Sequence, residues 1–407
     1  MTTTRLFAVL SAALLGAGCA TPESAPPIEQ SESRVPAAQT EESSPTPRLA
    51  LSYDGGVLVL DAATLQQIAD IPLDGFVRLN AAANGRHVLV SQADGFAVLD
   101  MGTWTDAHGD HGHHYTAEPA LTDLRFGGDE PGHVVAHDDR LTLFSDGTGA
   151  VDVVDPHALL DGDGDAENVL TTSPHHGVAV ARQDGTVVVS VGDERGRTGL
   201  ETLDAAGTRI AATDECPGLH GEAAAAGGVL TFGCEDGLLI VRGNDIQKVS
   251  SPDPYGRIGN QAGSEESPVV LGDYKTEPEA DIERPQRFTL TDTATGSLRV
   301  IPLEASYSFR SLDRGPEGEA VILGTDGALH VFDPVSAQRI GYFPAIGAWT
   351  EPDEWQSPMP NLHVQDGVAY VSDPHARRLV AIDLANGSVV ADTALSHRPV
   401  ELTGVEG

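Results

Sequence analysis

The sequence predicts an all-β propeller of eight four-stranded blades, with seven as the alternative count. Three observations carry this expectation. First, one short unit recurs through residues 49–407: a strand, a turn carrying Asp-Gly or Gly, a second strand of alternating apolar residues, then Asp and another turn. YDGGVLVLDAAT (53–64), ADGFAVLDMGT (93–103), EDGLLIVRGND (235–245), TDGALHVFDPVS (325–336) and DPHARRLVAIDLANGS (373–388) are statements of it. Each reads as a period-2 hairpin with Gly or Asp at the turn positions that need positive φ. Second, no segment shows a long capped apolar stripe at helical spacing. Third, segments read as innermost strands begin near Phe76, Ala120, His176, His220, Tyr255, Tyr307 and Leu362. Their intervals of roughly 40 to 55 residues match the period of a four-stranded blade.

Taken in order, residues 1–18 read as a lipoprotein signal peptide. Arg5 gives a short positive region, and LFAVLSAALL (6–15) is apolar but too short to span a bilayer. Leu15-Gly-Ala-Gly-Cys19 resembles a lipobox, with Gly16 where an aliphatic residue is usual, which makes Cys19 the expected lipidation site. An ordinary cleaved secretory signal is the alternative, and either exports the protein. Residues 19–48, rich in Ser, Pro and Glu, bury too little to offset their ordering entropy and read as a disordered tether. The propeller follows over 49–407. RPVELTGV (398–405) reads as an innermost strand without outer ones, and LALSYDGGVLVLDAATLQQIADIPL (49–73) as outer strands without an inner one. Pairing the two ends would complete a blade and leave no free sheet edge there. The 45 glycines and 26 prolines suit a protein made of turns.

Net charge is −37, from 61 acidic and 24 basic residues. That argues against nucleic acid as a partner and against electrostatic docking on anionic lipid, so membrane contact is expected only through the anchor. Apart from Cys19, the cysteines are Cys216 and Cys234, which in an oxidising compartment read as a disulfide. A thiolate zinc site needs more ligands at closer spacing.

The fifteen histidines are the informative residues. His108, Asp110, His111, His113 and His114 crowd into one stretch, DAHGDHGHH, read as a loop leading into the third blade. His175 and His176, His220, His363 and His397 sit where innermost strands are expected to start, and His137 and His375 at turns between second and third strands. All of these would open on one face. His87, His133, His157 and His330 fall elsewhere in this reading. Imidazoles converging from distant positions favour zinc over Cu(I), which seeks sulfur, and over calcium, which seeks oxygen. The expected site is His220, His397 and His176 with one loop histidine, the rest of the loop forming a mobile second site. His175, His363 and His375 are weaker candidates. DGDGDAEN (161–168) lacks the glycine and the acidic residue that a calcium loop requires at its sixth and twelfth positions. No GxSxG, P-loop or HExxH motif is present, so no catalytic residues are assigned and the chain is expected not to be an enzyme.

CPGLHGE (216–222) ahead of GCEDGL (233–238), together with the His-rich stretch, resembles the AztD-type zinc metallochaperones across about residues 49–407. The resemblance implies an exported, monomeric Zn2+ binder at the periplasm-facing membrane or cell surface. It also implies more than one zinc site and transfer of zinc to the solute-binding protein of a zinc ABC importer. His220 and the histidines of HGDHGHH match by motif; His176 and His397 follow from the expected geometry. The lipobox suggests a tethered version. The rival expectations are a non-catalytic scaffold binding protein or polymer, and a quinoprotein- or lactonase-like enzyme with acidic calcium ligands.

Overall fold

A computed structural model describes residues 39–407 except Asp110 and Thr172. The calls on the signal peptide and on Cys19 lie outside the described residues. The chain forms eight four-stranded antiparallel sheets and one three-stranded sheet, and its one helical element among the described residues is a 3-10 turn, Ala158–Asp161. None of the described helices is long and apolar enough to cross a membrane.

Eight blades are therefore present. In the first blade the innermost strand is Leu402–Val405, paired antiparallel with Arg48–Tyr53, so both ends of the described chain build one sheet. Middle strands such as Arg48–Tyr53 and Gly56–Asp61 are buried at almost every residue, because a neighbouring blade covers each face. Outermost strands such as Gln67–Pro72 alternate instead, as a half-solvated strand must. Apolar clusters join successive blades. The one containing Leu49, Leu51, Leu58, Tyr370, Leu379 and Ala381 packs the eighth blade against the first.

Two expectations are corrected here. Ala120 does not begin an innermost strand: Ala120–Gly127 is the outermost strand of the second blade, and the third blade begins with Pro131–His137. The displacement comes from an insertion in the second blade. Between its third strand, Gly95–Asp100, and Ala120–Gly127, the chain makes an extra hairpin of Thr103–His108 and His111–Thr116. Thr40–Glu42 pairs with the second hairpin strand as a third, so the tether expected over 19–48 gives way to strand by Thr40.

The hairpin root is tightly specified. The buried Arg48 guanidinium donates to the carbonyls of Met101 (2.6 Å) and Ala117 (2.9 Å). Gly102 has φ +68°, and a Cβ there would lie 2.4 Å from the Ala117 carbonyl oxygen, so only glycine fits. Strand alternation fixes where the hairpin lies. Innermost strands start on one face, here the upper face, and end on the lower one; third strands likewise end below. The insertion after Asp100 therefore hangs from the lower face. The C-terminus, which follows an innermost strand, is there too: the Thr105 hydroxyl donates to the Gly407 carbonyl at 2.8 Å.

Candidate metal centre

His133, His176 and His220 meet at the upper face. His133 lies on Pro131–His137 of the third blade, His176 precedes the innermost strand Ala179–Ala181 of the fourth, and His220 opens His220–Ala225 of the fifth. One ligand atom from each lies within 4.8 Å of the others.

Local sequence aims these rings. Gly221 has φ +71°, and a Cβ there would come within 2.5 Å of the Gly259 carbonyl oxygen. It creates the register shift between His220 and Glu222, a bulge that turns His220 toward the mouth. The Cys216–Cys234 disulfide, expected from the cysteine count, ties the CPGLH segment to the second strand of the same blade. Arg197 Nε donates to the Leu219 carbonyl at 2.5 Å from the other side.

Two of the imidazoles have an acceptor at Nδ1, and the third has a carboxylate nearby. His220 Nδ1 lies 2.6 Å from the Gly259 carbonyl, His176 Nδ1 lies 2.5 Å from Asp146, and His133 Nδ1 lies 3.4 Å from Glu222. A carbonyl or a carboxylate can only accept, so the His220 and His176 contacts place a proton on Nδ1 and leave Nε2 of neutral His220 as the atom that can ligate. The Nε2 atoms of His176 and His220 are 3.3 Å apart. That spacing suits a shared proton or a metal ion between the two rings. With Zn–N near 2.0–2.1 Å, tetrahedral geometry puts neighbouring ligand nitrogens about 3.3–3.4 Å apart. Backing each ligating imidazole with an acceptor is also how zinc sites fix tautomer and orientation. Burial, with smaller contributions from His133 and His176, pushes the His220 pKa well below the usual histidine range, which keeps it neutral and able to ligate.

A second cluster forms on the lower face. Cross-strand partners His108 and His111 share one side of the inserted hairpin with His113, two residues on, and one ligand atom of each lies within 4.8 Å of the others. The stretch expected as a loop is thus mostly strand. Period-2 alternation sends His114 to the opposite side, where Nδ1 meets the Thr105 hydroxyl at 2.8 Å. His113 Nδ1 lies 2.8 Å from Glu41 of the N-terminal strand. Asp110 lies outside the described residues.

The remaining candidates join neither cluster. His397 precedes its strand on the upper face as expected, but it stacks on Tyr53 at 3.9 Å and lies 3.4 Å from Asp70 of an outermost strand. His175 is buried and both its ring nitrogens are engaged, by the Ser173 carbonyl and the Ser190 hydroxyl, each at 2.8 Å. His363 contacts Gln365 at 3.3 Å and stacks on Tyr370, and His375 is exposed in its turn. His133 is the residue the sequence reading left out. Its signal was Asp138-Asp139, both at positive φ, which marks 131–137 and 140–145 as a tight hairpin.

No family model matches the chain. The chain is similar to the zinc chaperone AztD of Citrobacter koseri, at 25% identity over 365 residues, covering 86% of this chain and 84% of that protein. The crystal structure of C. koseri AztD aligns with a TM-score of 0.79 at 24% identity, covering 89% of this chain and 99% of that one. The apo structure of the same protein gives 0.77 at 23%, covering 89% and 98%. The dihydro-heme d1 dehydrogenase NirN, with a TM-score of 0.56 at 13% identity, covering 88% of this chain and 74% of its own, shares the fold alone.

Proposed function

We propose that this chain, similar along its propeller to AztD, is an exported zinc metallochaperone and not an enzyme. His133, His176 and His220 hold Zn2+ at the upper mouth, with His133 taking the place first given to His397. The hairpin histidines His108, His111 and His113 provide a second site, with Asp110 as a further proposed ligand. The cargo passes to the solute-binding protein of a zinc ABC importer, and Cys19 anchors the molecule at the membrane it serves. The observation that carries this reading is the convergence of His133, His176 and His220 from three successive blades, one ligand atom of each within 4.8 Å of the others. The name of the similar AztD protein supports carriage of zinc as the purpose, and the buried disulfide suits an oxidising compartment.

Competition against a zinc-selective chelator at neutral pH tests it. The wild type should hold zinc far more tightly than the His133→Ala/His176→Ala/His220→Ala variant. Zinc held equally well by both would sink the reading. Mixing the loaded protein with a candidate solute-binding protein in the presence of chelator then tests transfer. Zinc appearing on the receiver before the chelator captures it is the expected result.

A further inference from the structure

Three histidines leave a tetrahedral metal one position short, and the surroundings of that position have a definite sign. The cavity holding His133, His176 and His220 measures about 330 Å³ and is also lined by Arg78, Arg257 and Lys275, with Asp273 as its one carboxylate. In a chain of net charge −37 this is a local reversal. The carboxylate partners of these cations are shared or distant. Arg78 shares Glu401 with the buried Arg310, at 3.1 and 2.9 Å, so two guanidinium groups face one carboxylate. Arg257 is 3.7 Å from Glu235 and donates to the Gly218 carbonyl at 3.3 Å. Lys275 stands 4.0 Å from Asp273, whose Oδ1 accepts from the Gly259 and Asn260 amides at 2.6 and 3.0 Å. Asp146 is engaged at His176 Nδ1, and Glu222 lies 3.4 Å from His133 Nδ1. Trp355 walls the cavity beside Arg78, its ring centroid 5.9 Å from the guanidinium carbon.

Resting on the zinc reading above, we propose that this cavity is a carboxylate-binding subsite. An incoming carboxylate takes the fourth position on the metal while Arg78 and Lys275 bind its charge. A small free carboxylate and an acidic side chain of a receiving protein share this chemistry. Ligand exchange would then begin with a group from outside completing the tetrahedron, before any histidine lets go.

The test uses the full chain loaded with Co2+, whose visible bands report coordination. Sodium acetate, a blocked peptide with a single glutamate, and sodium chloride are titrated in separate arms. Acetate or the peptide should change the bands saturably, and chloride should not at equal ionic strength. Response to the peptide alone assigns the source to a protein side chain; response to acetate as well extends it to free carboxylates. Arg78→Gln with Lys275→Gln should weaken this response about tenfold or more while cobalt affinity stays within about threefold. Glu401 keeps Arg310 and Asp273 keeps its two amides, so both single variants, measured alongside, retain their buried partners. Bands that ignore both carboxylates, respond equally to chloride, or respond unchanged in the double variant overturn the proposal. Absence of histidine-dependent cobalt bands overturns the zinc reading instead.

Discussion

At the scale of single residues, what marks out His133, His176 and His220 is that they come together from three blades, with His176 and His220 backed at Nδ1 by Asp146 and the Gly259 carbonyl. Removing one partner should loosen the metal without removing a ligand. Asp146→Asn, read by chelator competition, is expected to weaken zinc roughly 10- to 100-fold, and His397→Ala to leave it unchanged. The cluster should also release metal as pH falls, because protons compete for the imidazoles. His87 offers a separate titration. It is buried, its Nδ1 lies 3.0 Å from the Asn84 amide, and desolvation lowers its pKa to about 4. Between pH 6.5 and 4 the unfolded chain binds a proton that folded His87 refuses, so its contribution to stability is lost as pH falls through that window. Urea unfolding of wild type and His87→Gln should show their stability difference shifting by roughly 2 kcal/mol against the wild type from pH 7 to pH 5.

Among the elements, the hairpins were legible and the insertion was not. Asp-Gly turns and period-2 strands are local signals, and they gave the fold and the blade count. The innermost strand of the third blade was missed because residues 101–119 displaced the spacing, and His133 went with it. How far out on a face a side chain ends up is not local either. His397 and His220 both precede or open an innermost strand, yet a stacking contact with Tyr53 draws one outward and a glycine bulge turns the other inward. That bulge can be tested alone. Gly221→Ala places a Cβ against the Gly259 carbonyl, the acceptor of His220, and should weaken zinc more than tenfold with a stability loss of about 1–3 kcal/mol. Replacing Cys216 and Cys234 together removes an 18-residue closure and should lower stability by about 3 kcal/mol in a denaturant titration.

For the whole molecule, the eighth blade packs on the first and the first is built from both ends of the described chain, so the ring depends on its last strand. Deleting residues 402–407 should abolish the cooperative unfolding transition seen by circular dichroism, because Arg48–Tyr53 would become an unpaired edge.

The inserted hairpin has a thermodynamic consequence. It hangs from the face opposite His133, His176 and His220, and six-residue strands separate the two faces by roughly 20 Å. That is more than twice the distance over which physiological salt screens a charge, about 8 Å. An ion in one cluster therefore exerts almost no field on an ion in the other. Two ions would bind as statistically independent events, with a calorimetric isotherm that is the plain sum of two single-site curves, and a receiver emptying one face would leave the occupancy of the other untouched.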